Sequence, residues 1–417
     1  MTQQKNNRHA SKTPSLLFIN RVFPPNHGAS GRVLADLAER CARSGWRVTV
    51  LTDGPIEPLP EFCRTLSLRV IRTGSGSVAA PDALGYIAAL GRLLWRGLRL
   101  EPHDAVVSLT DPPFLAAVGA FLAFVKRSAA IHWSHDLHPH LFPTIGVRLP
   151  SAIQAILTAL AVWIWRRQHC VIAIGRCMAA RLRKDGVPTE RIRVLPNWPD
   201  PSVFPLKSPR CASTSSPFVV AYSGNFGLAH PLSAVLDAAA ILEKTAPDVR
   251  FLLIGNGRGH PRVEQALRNR PLASVSLLPW RPAERLAETL AEADLHVATL
   301  AQDAEGLMVP CKVASALAAG RPCVFLGPSN SEAARIIRTE ECGLTLAADD
   351  GIGLAEAILT LRNDVKTWSA MAERATQTGR IWTADRAAQI FLSEIAEPLL
   401  ARKKRDKILL NPILNKN

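Results

Sequence analysis

A carboxylate and an ammonium group lie seven residues apart in the stretch from Glu305 to Pro322, which reads EGLMVPCKVASALAAGRP. The carboxylate of Glu305 can accept hydrogen bonds from sugar hydroxyls. Lys312 adds a cation to the first turn of a predicted short helix, whose unpaired N–H groups suit a phosphate. A loop–helix–strand unit with solvated charges explains the same spacing equally well, so a phosphate or sugar site here is a hypothesis.

A second polar cluster, SHDLHPH, follows the strand predicted at Ala129–Trp133. Four of the eleven histidines of the chain lie between residues 132 and 140, yet their spacing does not match an ordered zinc site. We therefore expect a polar strand-end loop in which His135, beside Asp136, orients a hydroxyl or stabilises charge. A capping loop without chemistry is the alternative interpretation.

Glycine-rich turns follow three predicted strands, where a missing side chain lets the backbone approach a ligand closely. The first turn follows the strand at Ser15–Asn20, the second follows Phe218–Tyr222 and the third follows Val249–Ile254. Purely structural turns would have the same composition, and the first turn is not the dinucleotide-binding GxGxxG pattern. The residues singled out in these turns are Gly28, Ser30, Gly31, Gly224, Asn225, Gly227 and Gly255.

Short apolar runs alternate with helical stretches along the chain, which predicts an α/β fold with parallel sheets. The length of 417 residues suits two domains, and the second half restarts with the same strand, glycine-rich turn and helix as the first. A Ser- and Pro-rich stretch separates the halves. The predicted organisation is a polar tail at 1–14, a domain at 15–200, a linker at 201–217, a domain at 218–380, a helix at 381–400 and a basic tail at 401–417.

The net charge of +15 is concentrated in the first half, where residues 1–200 carry 25 Lys and Arg against 13 Asp and Glu. Such a basic half favours an anionic membrane surface, a polyanionic lipid head group or nucleic acid as a partner. Nucleic acid is the weakest of these because the sequence has no zinc-finger or RNA-recognition signature. A generally high arginine content is the simplest alternative explanation.

The eight cysteines are scattered without a CxxC pair, so neither a zinc site nor a disulfide framework is indicated, and a reducing cytoplasm fits. The polar N-terminus lacks a signal-peptide core, and no apolar run reaches the length of a membrane-spanning helix. The nearest such run, Ala152–Trp165, is followed by Arg166 and Arg167. This helix suits a membrane interface or a buried core, and the sequence favours neither.

Together these motifs resemble a bacterial family-4 glycosyltransferase of the GT-B fold, and more narrowly the branch that builds surface polysaccharides. One motif alone would be weak, but nine in the expected order across roughly residues 15–346 make a specific pattern. The matching stretches are FPPNHGASGR, DPPF, HDLHP, ERIRVLPNWPD, YSGNFGLAHP, LLIGNG, LLPWRP, LAEADLHVATL and GLMVPCKVASALAAGRP.

The resemblance implies two Rossmann-like domains facing across a cleft, the first binding the acceptor and the second binding a nucleotide-diphosphate sugar. The helix at 381–400 would cross back to the first domain. Family members transfer the sugar with retention of configuration and need neither a metal nor another cofactor. We therefore expect hexosyl transfer from a UDP-linked sugar to a lipid-linked saccharide, by a cytoplasmic protein bound peripherally to the inner face of the membrane.

The resemblance also assigns roles by position. His135, Asp136, Glu305 and Lys312 would be the catalytic residues. His135 and Glu305 would face the donor sugar, whereas Lys312 would face the diphosphate and help to neutralise it as it leaves. The donor-binding residues would be Gly28, Ser30, Gly31, Gly224, Asn225, Gly227, Gly255, Trp280, Gly306, Leu307 and Glu332, with Trp280 bordering the base.

One position departs from the family pattern of two glutamates with seven residues between them. Val313 stands where the second glutamate would follow Glu305, and alignment on Gly320 puts Ser315 there instead. Glu332 on the next predicted helix is our candidate for the missing contact to the donor ribose. Two rival functions stay open, namely a nucleotide-sugar epimerase of the same fold and a non-catalytic GT-B scaffold.

Overall fold

A computed structural model describes residues 13–25, 28–56, 60–66, 68–74, 82–203, 217–403 and 405. Most of the predicted tail at 1–14, linker at 201–217 and basic tail at 401–417 lies outside these residues. The chain divides into two compact units. The first unit holds the described residues up to His132 together with those from Leu392 onward, and the second unit holds Trp133–Phe391. The domain boundaries drawn from the sequence stay predictions.

The first sheet contains seven strands that alternate with helices along the chain. The strands are β1 (Ser15–Ile19), β2 (Arg47–Thr52), β3 (Arg69–Arg72), β4 (Ala105–Ser108), β5 (Ala129–Ser134), β6 (Cys170–Ala173) and β7 (Ile192–Val194). The helices are α1 (Ala29–Arg43), α2 (Glu61–Thr65), α3 (Ala83–Leu98), α4 (Leu115–Val125), α5 (Ser151–Arg167) and α6 (Arg176–Lys184). The strand order is β3-β2-β1-β4-β5-β6-β7, so the direction of winding reverses between β1 and β4.

The second sheet contains six strands with the same kind of winding. The strands are β8 (Phe218–Ser223), β9 (Val249–Ile254), β10 (Val275–Leu278), β11 (Leu295–Thr299), β12 (Cys323–Leu326) and β13 (Gly343–Leu346). The helices are α7 (Ser233–Thr245), α8 (His260–Asn269), α9 (Leu286–Ala291), α10 (Lys312–Ala318), α11 (Glu332–Thr339), α12 (Gly351–Asn363), α13 (Val365–Ile381) and α14 (Ala384–Ile390), and a π-helical turn follows at Phe391–Ala396. The order is β10-β9-β8-β11-β12-β13.

The central strands are buried along their whole length, as parallel sheets covered by helices require. Every residue of β1 and of β11 is buried. In the core of the second sheet, the indole N–H of Trp368 donates to the Asp294 carbonyl at 2.8 Å, which satisfies the one polar group of that large buried side chain. The predicted α/β class with two parallel sheets is confirmed.

The reversal of strand order indicates where a ligand is expected to bind on the second sheet. Loops at the carboxyl ends of two neighbouring strands diverge at such a reversal, and ligands of doubly wound folds bind there. Strands β8 and β11 flank the reversal. The glycine-rich turn after β8 and the loop that runs from β11 to α10 therefore lie beside the expected ligand position.

Candidate functional site

Lys312 is the first residue of α10, and its aliphatic chain packs over the turn that follows β8. A β-carbon on Gly224 would lie 2.7 Å from Lys312 Cε, so the glycine makes room for the lysine. The Lys312 Nζ atom lies 5.0 Å from the centre of the Tyr222 ring. Burial lowers the pKa of Lys312 to about 8. The ammonium group is thus partly stripped of water, and an anionic ligand would stabilise its charged form.

His230 lies beside Lys312 and was not singled out in the sequence. Its Nδ1 atom lies 2.6 Å from the Thr299 carbonyl oxygen. Burial, together with the Lys312 charge, lowers the pKa of His230 to about 3. The imidazole is therefore neutral and donates its Nδ1 proton to the carbonyl. The only signal in the sequence is its place near the end of the quoted stretch YSGNFGLAHP.

The glycine turns after β8 and β9 pack against each other. Gly224 and Gly255 both have φ of +140°, a backbone conformation that favours glycine. A β-carbon on Gly255 would overlap the Gly224 carbonyl oxygen. The Gly224 N–H donates to the Ile254 carbonyl at 2.9 Å, which ties the two turns together. These glycines are therefore required for packing, whether or not they also approach a ligand.

Asn225 and Gly227 complete the turn after β8. The Tyr222 hydroxyl donates to the Asn225 carbonyl at 2.9 Å, so the ring beneath Lys312 also holds the turn. The Asn225 side chain is exposed, and a β-carbon on Gly227 would lie 3.2 Å from the His230 ring. The predicted residues of this turn are thus brought together with Lys312 and His230.

The segment that carries His135 and Asp136 pairs with the segment that follows Glu305. Asp136 forms an antiparallel bridge with Met308, and the Leu137 N–H donates to the Leu307 carbonyl at 2.8 Å. The structure therefore brings the predicted catalytic residues of these two segments close to one another. Leu307 is buried and its carbonyl holds the two segments together, and the donor contact assigned to Leu307 stays a prediction.

His135 and Gly306, which flank the paired residues, are both packed against neighbouring groups. The buried His135 ring lies 4.8 Å from the Trp133 ring, centre to centre. Gly306 has φ of +71°, and a β-carbon there would lie 3.0 Å from the Cys177 carbonyl oxygen. Glu305, one residue earlier, is half-buried.

Glu332 is deeply buried, with 2% of its surface exposed. One carboxylate oxygen accepts the backbone N–H of Arg176 at 2.5 Å, and the other accepts the Arg335 guanidinium at 2.6 Å. The carboxylate thus holds the N-terminus of α6 against the start of α11. The ribose contact assigned to Glu332 stays a prediction.

Trp280 follows β10, two strands away from β8, and 56% of its surface is exposed. A flat exposed indole could stack on a base, but the contact assigned to it stays a prediction. Among the described residues, no three His, Cys, Asp or Glu side chains are grouped so that they could hold a metal ion.

Gly28, Ser30 and Gly31 lie in the first unit, at the N-terminus of α1. Gly28 precedes the helix, and the Ser30 hydroxyl accepts a hydrogen bond from the Asn20 amide at 3.3 Å. A β-carbon on Gly31 would lie 3.0 Å from the Val22 carbonyl oxygen, so this glycine lets the helix approach the preceding loop. Their assignment as donor-binding residues stays a prediction.

Two domain families match the chain in sequence. Residues 28–198 match the family described as "Glycosyl transferase 4-like domain". Residues 217–364 match the family described as "Glycosyl transferases group 1". The first match spans most of the first sheet and the second spans the whole of the second sheet.

Two curated relatives are similar over much of the chain. "Probable glycosyltransferase WbjE" of Pseudomonas aeruginosa is 25% identical over 269 residues, which cover 62% of this chain and 66% of that protein. "Putative colanic acid biosynthesis glycosyl transferase WcaI" of Escherichia coli (strain K12) is 26% identical over 353 residues, which cover 78% of this chain and 86% of that protein.

Solved structures share the fold. Anabaena Alr3699/HepE, determined in complex with UDP and glucose, matches with a TM-score of 0.67 and 19% identity, over 92% of this chain and 98% of that one. The two matched glycosyltransferase domains together span about three quarters of the sequence. In both sequence and architecture, therefore, the chain is a glycosyltransferase with the GT-B fold.

Proposed function

We propose that the protein is a retaining glycosyltransferase that moves a sugar from a UDP-linked donor to a hydroxyl of a lipid-linked saccharide in cell-surface polysaccharide biosynthesis. The name of WcaI, a relative over 78% of this chain, supports the polysaccharide part. HepE shares the fold and was solved with UDP and glucose, which supports a UDP-linked donor. The two matched domains favour transfer over epimerisation and over a non-catalytic scaffold.

The observation that carries this proposal is the position of the Lys312 ammonium group. It lies over Tyr222 and beside the Gly224 turn, at the reversal of strand order where a ligand is expected. The lowered pKa of Lys312 indicates that the residues around the ammonium group do not supply enough negative charge to offset the loss of water. A diphosphate at this place would supply the missing negative charge.

In the proposed reaction, the acceptor hydroxyl attacks the anomeric carbon from the same face that the diphosphate leaves. The bond from the anomeric carbon to the phosphate oxygen breaks, the new glycosidic bond forms, and a diphosphate oxygen takes the hydroxyl proton. Lys312 would stabilise the negative charge that develops on the diphosphate, without a metal ion. His135 and Glu305 would orient the donor sugar, with Asp136 beside them.

The test compares the wild type with Lys312→Met, and with Lys366→Met as the matched control because Lys366 is an exposed lysine of α13. We expect UDP, rather than GDP or ADP, to raise the melting temperature of the wild type, since a ligand that binds the folded state stabilises it. We expect Lys312→Met to lower turnover by about 10²–10³-fold, the effect of removing one electrostatic donor from an active site. NMR of the product should show the anomeric configuration of the donor.

Each part of the proposal can fail separately. Near-normal turnover in folded Lys312→Met would contradict the role of the lysine, and an inverted product would contradict retention. Epimerisation of the donor without an acceptor would favour the epimerase. Failure to bind any nucleotide sugar would favour the scaffold.

We further propose that the protein is cytoplasmic and binds peripherally to the inner face of the membrane. Helix α5 buries Ile164 and Trp165 but exposes Ile156 and Trp163, and the Arg167 guanidinium lies 3.8 Å from the centre of the Trp163 ring. An exposed apolar stripe that ends in Trp and Arg supports the membrane interpretation of this helix. In the part of the chain that the structure describes, no helix is long and apolar enough to cross a membrane.

A further inference from the structure

Helices α3 and α4 of the first unit expose large apolar side chains that sequence analysis did not single out. The exposed fractions reach 74% for Leu84, 55% for Trp95 and 81% for Phe124. Single exposed apolar residues are normal, whereas a group on two neighbouring helices indicates a binding surface. We call this surface the α3–α4 face, and it consists of Leu84, Ile87, Trp95, Leu98, Phe121 and Phe124.

The two helices lie side by side, so their exposed residues share one surface. Both β3–α3–β4 and β4–α4–β5 run in the same direction along the sheet, and right-handed crossovers place both helices on the same side of it. A β-carbon on Gly97 would lie 2.5 Å from Leu122 Cδ1, which shows how closely α3 approaches α4. The Lys126 ammonium at the end of α4 donates to the Leu98 carbonyl at 3.1 Å. The opposite side of α3, including Leu93, is buried in the core.

The two helices that form this face carry only basic charges, although Arg92 is paired with Asp53 and the exposed Asp82 and Glu101 lie just beyond the two ends of α3. Residues 83–100 and 115–128 contain no acidic residue, and their basic residues are Arg92, Arg96, Arg99, Lys126 and Arg127. The Arg99 guanidinium stacks 3.4 Å from the centre of the Trp95 ring. Trp and Arg side chains that lie together are typical of the boundary between acyl chains and lipid head groups.

An anionic bilayer fits this combination better than a second copy of the chain. Apolar side chains bordered by cations complement acyl chains bordered by anionic head groups. A symmetric dimer through the same face would instead bring two sets of Arg96 and Arg99 towards each other, with like charges opposed.

We propose that the α3–α4 face docks on the surface of an anionic lipid bilayer. Trp95, Phe124 and their apolar neighbours enter the boundary of the acyl chains, and Arg96 and Arg99 contact the head groups. This inference rests on the proposed peripheral location, and it names a contact surface in addition to α5. It does not depend on the identity of the donor or on the chemistry of transfer.

The experiment measures binding of the full chain to vesicles by sedimentation. Vesicles of phosphatidylcholine with phosphatidylglycerol are compared with vesicles of phosphatidylcholine alone. Trp95→Ser combined with Phe124→Ser removes the apolar anchors, and Arg96→Gln combined with Arg99→Gln removes the charges. Ile352→Ser is the matched control, because Ile352 is 67% exposed on α12 of the second unit.

We expect the wild type and Ile352→Ser to bind the anionic vesicles equally well. The apolar pair should weaken binding at least about tenfold, because apolar area drives interfacial binding. The arginine pair should weaken it by roughly fivefold per charge at low salt, and the difference should shrink at high salt. The melting temperature and its shift with UDP should be unchanged in every variant, which separates this inference from the donor site.

Wild-type binding by both α3–α4 variants would overturn the proposal. If Ile156→Ser combined with Trp163→Ser on α5 is then the variant that loses binding, the peripheral location stands and only this surface is wrong. A dimer of the wild type that Trp95→Ser with Phe124→Ser dissociates, with vesicle binding unchanged, would also overturn the proposal, because a second copy would then cover the face. If the wild type itself does not bind anionic vesicles, the peripheral location falls as well.

Discussion

Lys312 should make the affinity for UDP depend on pH. Burial lowers its pKa from an ordinary value of 10.5 to about 8 in the unliganded protein. The negative charge of UDP favours the ammonium form, so the pKa in the complex lies above that of the free protein. Binding is therefore strongest well below pH 8 and weakens as the pH rises through 8, because the lysine must take up a proton to bind.

The magnitude follows from the protonated fraction. A group with a pKa of about 8 is charged in about 90% of molecules at pH 7 and in about 9% at pH 9. If the complex keeps Lys312 charged throughout, the affinity for UDP falls about tenfold over this range, which is about 1.4 kcal/mol of binding free energy. His230 and Tyr222 do not interfere, because the pKa of His230 is about 3 and burial raises the pKa of Tyr222. The adjacent Cys311 does act on Lys312, since its coulombic interaction raises the pKa of the lysine.

Titration calorimetry with UDP at pH 7, 8 and 9 measures how the affinity depends on pH. Repeating the titration in buffers of different ionisation enthalpy gives the number of protons that are taken up on binding. Lys312→Met should bind more weakly at pH 7 and lose the dependence between pH 7 and 9. Lys312→Arg should stay charged and also lose the dependence, since a guanidinium does not titrate in this range. The reasoning is refuted if the wild type and Lys312→Met weaken by the same factor from pH 7 to pH 9.

Further predictions concern stability and are checked by thermal and urea denaturation. Gly255→Ala should cost at least about 3 kcal/mol, because its β-carbon meets the Gly224 carbonyl in addition to the strain of a positive φ. Gly45→Ala, with positive φ but no atom within 4 Å of a β-carbon, should cost only about 1–2 kcal/mol, and equal losses would contradict this account. Glu332→Gln should cost about 1–3 kcal/mol, because the two carboxylate oxygens accept the Arg176 N–H and the Arg335 guanidinium, whereas Gln has one acceptor oxygen and would turn its NH2 group towards one of these donors. An unchanged urea midpoint would rule this out.

The sequence was sufficient to locate several strands of the second sheet, including the edge strand β10. The strands predicted at Val249–Ile254, Val275–Leu278 and Leu295–Thr299 coincide with β9, β10 and β11. Each is a short, mostly apolar run, and β9 and β10 are followed directly by glycine or proline, which marks where they end.

Helix α4 shows what the sequence pattern could not reveal. Its sequence LAAVGAFLAFV is apolar at every position, so no helical periodicity distinguishes an inner from an outer face. The structure resolves the two faces, with Leu122 buried and Phe121 and Phe124 exposed. The part of the exposed apolar surface that α4 contributes could not be predicted for this reason.

The partners of His230 and Glu332 could not be predicted either. His230 reaches the Thr299 carbonyl, and Glu332 reaches the Arg176 N–H, across 69 and 156 residues of chain. Such contacts depend on how separate elements pack, which local composition and motif spacing do not encode.

The pairing of residues 136–137 with residues 307–308 couples two loops that would otherwise move independently. Breaking the Leu137–Leu307 hydrogen bond frees both segments at once, so their backbone amides should exchange with solvent through a common opening event. A ligand that orders the loop around Glu305 would then slow hydrogen exchange at Leu137, although it need not touch that residue. The hydrogen-exchange rate of the Leu137 amide should therefore report how often the two paired segments separate.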